Sequence, residues 1–288
     1  MKRTAAALLI GCVACGGLLG IDEDPESSPS SADATDGAAE VAFGEGGPSA
    51  CVGRPWSKAR VLNVPVGYQL KQISFSSDGK TAYLAGQASA SASDLFLAPA
   101  TDFSTLGTPK PLDVGPPGVG DFRPTVTADG RLLAIASLRS VTDTIYLADL
   151  SPEGQASFPR TVAVAPAPSA DAPYITRDGL AIYFSSKSNL FVTSRASRDV
   201  DFNGSSMIVE LSTAAEGSPV VTVDQRTIFF ERAQDVFFAT RSSTRDPWGA
   251  AQPLAVATTS SDDAPMWISD DACTLLVRND QDFVVYAR

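Results

Sequence analysis

Pro173-Tyr-Ile-Thr-Arg-Asp178-Gly179-Leu-Ala-Ile-Tyr-Phe184 is the stretch that decides the fold, because variants of it occur four more times along the chain. It consists of a β-prone run, a two-residue Asp-Gly turn and a second β-prone run, which is the pattern of a tight antiparallel hairpin. The turn aspartates recur every 46 to 51 residues and are assigned to Asp78, Asp129, Asp178, Asp224 and Asp270. Since one occurs in every copy, we expect them to stabilise turns rather than to act in catalysis.

A third β-prone run follows each hairpin, and a fourth, weaker run follows a turn that carries an aromatic residue. The third runs begin at Asp94, Thr144, Asn189, Asp235 and Asp282. The aromatic residues of the turns are Phe103, Phe158, Phe202 and Trp248, and the fourth runs include residues 111–114 and 253–256. Four antiparallel strands in a period of this length predict one blade of a β-propeller, with strands A to D counted outward from the centre.

The number of repeats predicts an all-β fold with a single β-propeller of five four-stranded blades; a six-bladed propeller is the alternative. A D-like strand at residues 59–66 precedes the first blade, and the last blade lacks a strand D after residues 282–287. We therefore predict that the N-terminal strand pairs with strand C of the last blade. This closure would remove the exposed sheet edges of an open array.

Two cysteines fall in the same predicted blade, Cys51 just before the closing strand and Cys273 at the start of the last strand B. In a secreted protein, cysteines in such positions predict a disulfide. A bond that closes a loop of this length stabilises a fold by about 2–5 kcal/mol. Two free thiols are the alternative.

The repeated strings resemble the WD-like repeat of TolB-type propellers, in which a Pro-x-x-Ser-x-Asp-Gly core precedes an aromatic-rich strand. The resemblance covers about residues 55–288 and departs from the pattern at Ile73, Gln225 and Asp271. It implies a propeller fold, and propellers of this type more often have six blades. It does not imply one activity, because the family contains binding platforms, peptidase caps and lipoproteins.

The N-terminus predicts a bacterial lipoprotein signal at residues 1–14, with Met1-Lys2-Arg3 before a short apolar run. Cys15 is the predicted lipid acceptor because it leaves an apolar run of workable length. Cys12 is the alternative, since Leu9-Ile10-Gly11 before it resembles a lipobox; an ordinary cleaved signal peptide also remains open. The segment Gly17–Ile21, followed by acids, resembles the start of lipoproteins common in myxobacteria.

Charge separates a predicted tether, residues 15–50, from the predicted propeller, residues 51–288. The tether contains eight acids and no base, and its many small and polar residues predict a disordered linker. Of the net charge of −11, the signal contributes +2 and the tether −8, which leaves −5 for the propeller. A domain with no basic excess is unlike a nucleic-acid-binding protein. We expect a monomer, lipid-anchored in the cell envelope at the outer membrane or cell surface rather than the inner membrane.

Carboxylates are the only candidates for chemistry, because the chain has no histidine and thus no histidine-dependent triad or zinc site. One acid precedes strand A in each of four copies, and these are Asp121, Asp171, Glu216 and Asp262, the last followed by Asp263. At one mouth of the channel they would suit a cation or a sugar; local turn hydrogen bonds are the alternative. We predict no catalytic residue, metal site or cofactor.

These features predict a membrane-tethered, non-catalytic propeller that binds a protein or glycan of the cell envelope. The alternative is a glycan-active hydrolase, because some five-bladed propellers hydrolyse glycans with carboxylates at the channel mouth. Few glutamates are available for that role. The propeller has only four, and we expect all but Glu216 to lie away from the mouth: Glu153, Glu210, Glu216 and Glu231.

Overall fold

Short antiparallel strands account for nearly all regular structure in the computed structural model. It describes residues 51, 53–88, 94–115, 119–140, 144–257, 261–280 and 282–288. The predicted signal, tether and lipid acceptors Cys12 and Cys15 lie outside the described residues. No helix within the described ranges has the length and hydropathy needed to cross a membrane.

The strands of the first half of the chain form two blades and the strand that precedes them. In chain order they are β1 (Ser57–Val61), β2 (Tyr68–Phe75), β3 (Thr81–Ala88), β4 (Asp94–Thr101), β5 (Thr105–Leu106), β6 (Lys110–Pro111), β7 (Asp121–Val126), β8 (Leu132–Ser137), β9 (Thr144–Asp149) and β10 (Arg160–Thr161). Blade 1 contains β2, β3, β4 and β6, with β5 as an extra short strand on β4. Blade 2 contains β7 to β10.

The second half of the chain forms three further blades. Its strands are β11 (Asp171–Ile175), β12 (Ala181–Ser186), β13 (Asn189–Ser194), β14 (Ser206–Met207), β15 (Glu216–Val221), β16 (Thr227–Arg232), β17 (Asp235–Thr240), β18 (Gln252–Pro253), β19 (Asp263–Ile268), β20 (Thr274–Asn279) and β21 (Asp282–Ala287), with a 3-10 turn at Ala255–Ala257. Blade 3 is β11 to β14, blade 4 is β15 to β18, and blade 5 is β19 to β21 with β1. The prediction of five four-stranded blades is confirmed.

Ring closure by the N-terminal strand is also confirmed. β1 runs antiparallel to β21, with Ser57 opposite Ala287 and Val61 opposite Val284. The strand is earlier and shorter than the predicted 59–66. The chain leaves blade 5 before Pro65, which has no N–H to donate, and Asn63 forms a bridge to Thr105 of blade 1.

The predicted disulfide joins Cys51 to Cys273, whose Cα atoms are 5.2 Å apart. It connects the residues before β1 to the residue before β20, so both partners belong to blade 5. The bond therefore fastens the closing strand to the blade that this strand completes.

The outermost strand of each blade is the least buried. Every residue of β8 and β12 is buried, because strand B of a blade is covered on both faces by neighbouring blades. The fourth strands of blades 1 to 4 are only two residues long and exposed, as at Lys110–Pro111 and Gln252–Pro253. They are shorter than predicted because they form an outer edge and two of them end in proline, which cannot extend a ladder.

The hairpin turn of blade 5 is displaced by one residue from its predicted position. Ser269 Oγ donates to the carboxylate of Asp271, and so does the backbone N–H of Cys273 at 2.9 Å. Thr176 and Leu180 make the same two bonds to Asp178 in blade 3. The turn aspartate of blade 5 is therefore Asp271, and the assignment of Asp270 was wrong.

A repeated arginine clasp connects strand C of a blade to its hairpin turn. In blades 3, 4 and 5 the arginine after strand C donates its Nε–H to a turn carbonyl. The pairs are Arg195 with Gly179 at 2.9 Å, Arg241 with Gln225 at 2.8 Å and Arg288 with Ala272 at 2.8 Å. Each guanidinium lies over an aromatic ring, and these pairs are Arg195 on Phe202, Arg241 on Trp248 and Arg288 on Trp56. Because Trp56 precedes β1, the clasp of blade 5 joins the two ends of the propeller.

Candidate functional site

The central channel is narrow at mid-height because each inner strand places a bulky residue at the same level. The five residues are Ile73, Pro124, Pro173, Pro219 and Met266. The free space between them is about 30 Å³, which is enough for about one water molecule. A ligand larger than water therefore cannot occupy this part of the channel. We call the end where the inner strands begin the front mouth and the end with the hairpin turns the hairpin mouth.

Arg177 closes the hairpin mouth. Its guanidinium donates to the backbone carbonyls of Phe75 at 3.4 Å, Val126 at 3.3 Å and Ile268 at 3.3 Å. Its Nε lies 2.7 Å from Asp270 Oδ1, so the displaced turn of blade 5 supplies the counter-charge. One side chain of blade 3 thus holds blades 1, 2 and 5 together across the channel.

Sequence reasoning missed this plug although Arg177 lies inside the stretch that defines the repeat. The corresponding residues of the other blades are small, apolar or acidic, and they are Ser77, Ala128, Val223 and Asp270. A residue that breaks the pattern of its own repeat was the available signal.

Two of the predicted front-mouth acids are buried inside their blades. Asp121, at the start of β7, pairs with Arg139, and burial raises its pKa despite hydrogen bonds from Ser137 and Arg139. Glu216, at the start of β15, has a fully buried carboxylate. Neither carboxylate is available to a ligand in this arrangement.

Glu216 is held by four donors. Its carboxylate accepts the N–H of Thr213 at 2.6 Å, the Thr213 hydroxyl, the N–H of Ala215 at 3.3 Å and Arg232 Nε at 2.9 Å. Burial acts to raise its pKa, but these hydrogen bonds outweigh burial and lower it. The residue organises the loop that leads into β15.

The other two predicted acids are partly exposed and each faces an arginine. Asp171 accepts the N–H of Ala172 at 2.7 Å and pairs with Arg123 Nε at 3.2 Å. Asp262 pairs with Arg278 at 3.0 Å. Among the described residues, no group of three or more acids or cysteines is arranged to hold a metal ion.

A chain of polar contacts crosses the front mouth from blade 3 to blade 4. Arg123, on a bulge of β7, contacts Asp171 and donates from Nη1 to the Ser218 hydroxyl at 2.9 Å. Ser218 in turn donates to Glu231 Oε2 at 3.3 Å. Burial and the nearby charge of Asp262 raise the pKa of Glu231, and the charge of Arg123 opposes this shift.

Glu231 was expected away from the mouth, and that expectation was wrong. It lies opposite Gly217 in the β15–β16 pair. Because β16 runs antiparallel to β15, the end of β16 lies at the mouth where β15 begins. The position of Glu231 near the end of strand B was the available signal in the sequence.

These groups border a hydrophilic cavity of about 310 Å³ between blades 3 and 4. Asp171, Glu216 and Glu231 line it, whereas Asp121 and Asp262 do not. Lys187 and five serine side chains complete the wall, and the serines are Ser169, Ser185, Ser186, Ser188 and Ser218. The cavity thus offers hydroxyl donors and acceptors together with both signs of charge.

No protein-family model matches the chain, and no curated protein matches it in sequence. Among solved structures, TolB from Acinetobacter baumannii matches with a TM-score of 0.52 and 13% identity, over 76% of this chain and 54% of TolB. The putative TolB from Agrobacterium tumefaciens matches with a TM-score of 0.50 and 16% identity, over 78% of this chain and 77% of that one.

A thermostable family-43 glycoside hydrolase matches with a TM-score of 0.53 and 12% identity, over 79% of this chain and 90% of the hydrolase. The chain spans about half the length of the Acinetobacter TolB that it matches. Likeness at these identities concerns the fold alone, and the matched proteins include a hydrolase as well as TolB. The chain is a five-bladed β-propeller with a TolB-like fold.

Proposed function

We propose that this protein is a non-catalytic binding propeller, and that its ligand occupies the hydrophilic cavity at the front mouth. One observation carries the proposal. The cavity of about 310 Å³ lies beside the central channel. The narrow part of the channel has only about 30 Å³ of free space, and Arg177 closes its other end. A ligand is therefore held at the surface of the propeller and does not pass through it.

The wall chemistry favours a glycan as the ligand. Serine hydroxyls both donate and accept, Arg123 and Lys187 donate, and Asp171 and Glu231 accept. Such a mixture matches the alternating donors and acceptors of sugar hydroxyls. Arg123 is already oriented by Asp171 and Ser218, so little side-chain entropy is lost when it binds a ligand.

We further propose that the propeller acts as a monomer in the cell envelope, tethered to the membrane through a lipid on Cys15 or, alternatively, Cys12. This part rests on the N-terminal sequence, which lies outside the described residues. The Cys51–Cys273 disulfide supports an oxidising compartment, where such bonds form and persist.

Glycan hydrolysis is the second candidate function, and Glu231 favours it. A carboxyl group with a raised pKa stays protonated closer to neutral pH, as a general acid requires. Asp171 lines the same cavity and would be the second carboxylate of a hydrolytic pair. Against this role, Asp171 is occupied by Arg123 and by its own loop.

A panel of cell-envelope glycans, incubated with the full chain in detergent, distinguishes the two functions. The proposal predicts saturable binding with no released product, and Glu231→Gln should still release none. Product release that Glu231→Gln abolishes would establish the hydrolase instead. A different result would identify the ligand as a protein: the chain binds no glycan of the panel but captures a protein from envelope extracts, and Arg123→Gln abolishes the capture.

A further inference from the structure

Blade 2, which packs against blade 1, lacks the arginine clasp that blades 3, 4 and 5 share. Leu150 follows strand C of blade 2, where Arg241 stands in blade 4, and Ala156 replaces Trp248. Backbone hydrogen bonds establish this correspondence. The Leu150 N–H donates to the backbone carbonyl of Arg131, just as the Arg241 N–H donates to the backbone carbonyl of Arg226. The substitutions leave a groove of about 630 Å³ on the hairpin side.

Blade 1 also lacks a clasp arginine, but its turn is covered in another way. Phe103 packs against Phe75 and Trp267, with ring centroids 5.4 and 4.8 Å apart. A Cβ on Gly79 would come within 2.4 Å of the Phe103 ring. At Gly130, the turn glycine of blade 2, the nearest atom would be Tyr83 Oη at 3.9 Å. The open groove therefore belongs to blade 2.

The groove contains a tyrosine hydroxyl whose counterpart in blade 3 is bound to an arginine. Tyr183 Oη contacts Gln225 Oε1 at 3.0 Å and accepts from Arg241 Nη2 at 3.0 Å. Tyr83 occupies the same strand position in blade 1 and is only 6% exposed. Its hydroxyl has no hydrogen bond to another described residue, and the residue lines the groove.

The rest of the wall suits a cation on an aliphatic stem. Asp78, Asp129 and Glu153 line the groove against the single base Arg131, although Asp129 also pairs with Arg198. The apolar part of the wall is formed by Leu97, Leu150 and Pro152. Carboxylates beside an apolar surface match a guanidinium carried on methylene groups.

We propose that this groove binds the arginine side chain of a partner polypeptide. The guanidinium donates to the Tyr83 hydroxyl of blade 1 and the Gly130 carbonyl of blade 2, as Arg241 donates to the Tyr183 hydroxyl of blade 3 and the Gln225 carbonyl of blade 4. The carboxylates neutralise its charge, and the stem lies on Leu150. This binding site is separate from the front-mouth cavity.

Titration calorimetry of the full chain in detergent with N-acetyl-L-arginine N-methylamide tests the proposal, with the lysine and citrulline analogues as comparators. Arginine should bind at least about tenfold more tightly than citrulline, because a hydrogen bond to a charged donor contributes more than one to a neutral donor. Tyr83→Phe should weaken arginine binding about tenfold. Tyr183→Phe, the same change at a clasped junction, should not alter it.

Leu150→Arg supplies a second test because it places in blade 2 the side chain found in the clasped blades. Folded Leu150→Arg protein should not bind the arginine probe. Equal binding of arginine and citrulline, or unchanged binding in Tyr83→Phe, would overturn the proposal, as would the absence of any arginine binding to the unaltered chain.

Discussion

The two mouths of the channel are built from the same five inner strands, yet one is sealed and the other is open. At the hairpin mouth a single side chain, Arg177, is bound by four groups from three other blades. At the front mouth Arg123, Asp171, Ser218 and Glu231 form a chain of polar contacts beside the cavity of about 310 Å³. In a repeat protein, the residues that differ between blades thus decide which end is structural and which end can bind.

Removal of the plug should have the largest effect. Arg177→Leu leaves Asp270 without its partner and three carbonyls without a donor. Loss of one member of a buried ion pair costs about 3–5 kcal/mol, and the partial exposure of Asp270 places the expected loss at the lower end. Urea unfolding of the variant measures it. Arg160→Gln, which breaks the exposed Arg160–Asp149 pair, is the control and should change stability by less than about 1 kcal/mol.

An Arg177→Leu loss no larger than that of the control would mean that the hairpin mouth is not held by the plug. Arg177→Lys separates the contribution of charge from that of hydrogen-bond geometry, because lysine keeps the charge but not the planar fork of donors. It should recover only part of the lost stability, since lysine cannot donate to all four acceptors in this geometry.

Ring closure is expected to matter almost as much. Cys51→Ser removes the bond that fastens β1 to blade 5, the blade that also supplies Asp270. The expected loss is about 2–4 kcal/mol by chemical denaturation, with five blades retained. Addition of a reductant to the unaltered chain is the matched experiment and should lower stability equally. If both Cys51→Ser and the reductant lower stability by less than this, β1 and the Trp56–Arg288 stack close the ring without needing the disulfide.

Two glutamates at the front cavity should respond to pH in opposite directions. The pKa of Glu216 is lowered in the folded protein, so its stabilisation is present above its unfolded pKa and is lost as pH falls through the folded pKa. Glu216→Gln should therefore cost about 1.5–3 kcal/mol at neutral pH and less near pH 3. The measurement is the free energy of unfolding across pH.

The contribution of Glu231 to the free energy of unfolding should have the opposite pH dependence and be smaller than that of Glu216. Its raised pKa means that the folded protein holds the proton more tightly, so its ionisation lowers stability as pH rises past its unfolded pKa. Glu231→Gln should be neutral in acid and slightly stabilising, by less than about 1 kcal/mol, at neutral pH. Destabilisation at neutral pH would instead assign Glu231 a structural role like that of Glu216.

The features predicted from the sequence were those that depend on local pattern and counting. The number of repeated hairpins predicted the number of blades, and the unmatched D-like strand predicted the ring closure. The position of Cys51 and Cys273 in one blade predicted the disulfide. The Asp270 assignment failed because spacing from proline was used as the guide. The bonding pattern Ser/Thr-x-Asp, seen in Thr176-x-Asp178 and Ser269-x-Asp271, is the more reliable register marker.

Contacts between blades were not predictable in the same way. Arg177 and Arg123 donate to groups of other blades that are 51 to 102 residues distant in sequence. Their partners depend on how neighbouring blades pack, which no single repeat encodes. The constant 16-residue interval between each clasp arginine and its turn carbonyl was nevertheless visible as a repeated spacing.

Glycan binding by two matched variants tests whether the front mouth is the binding end of the propeller. Arg123→Gln alters the front mouth, and Arg131→Gln alters the hairpin side by the same chemical change. With a glycan bound by the unaltered chain, we expect at least about tenfold weaker binding for Arg123→Gln and unchanged binding for Arg131→Gln. Weaker binding of Arg131→Gln with unchanged binding of Arg123→Gln would contradict it.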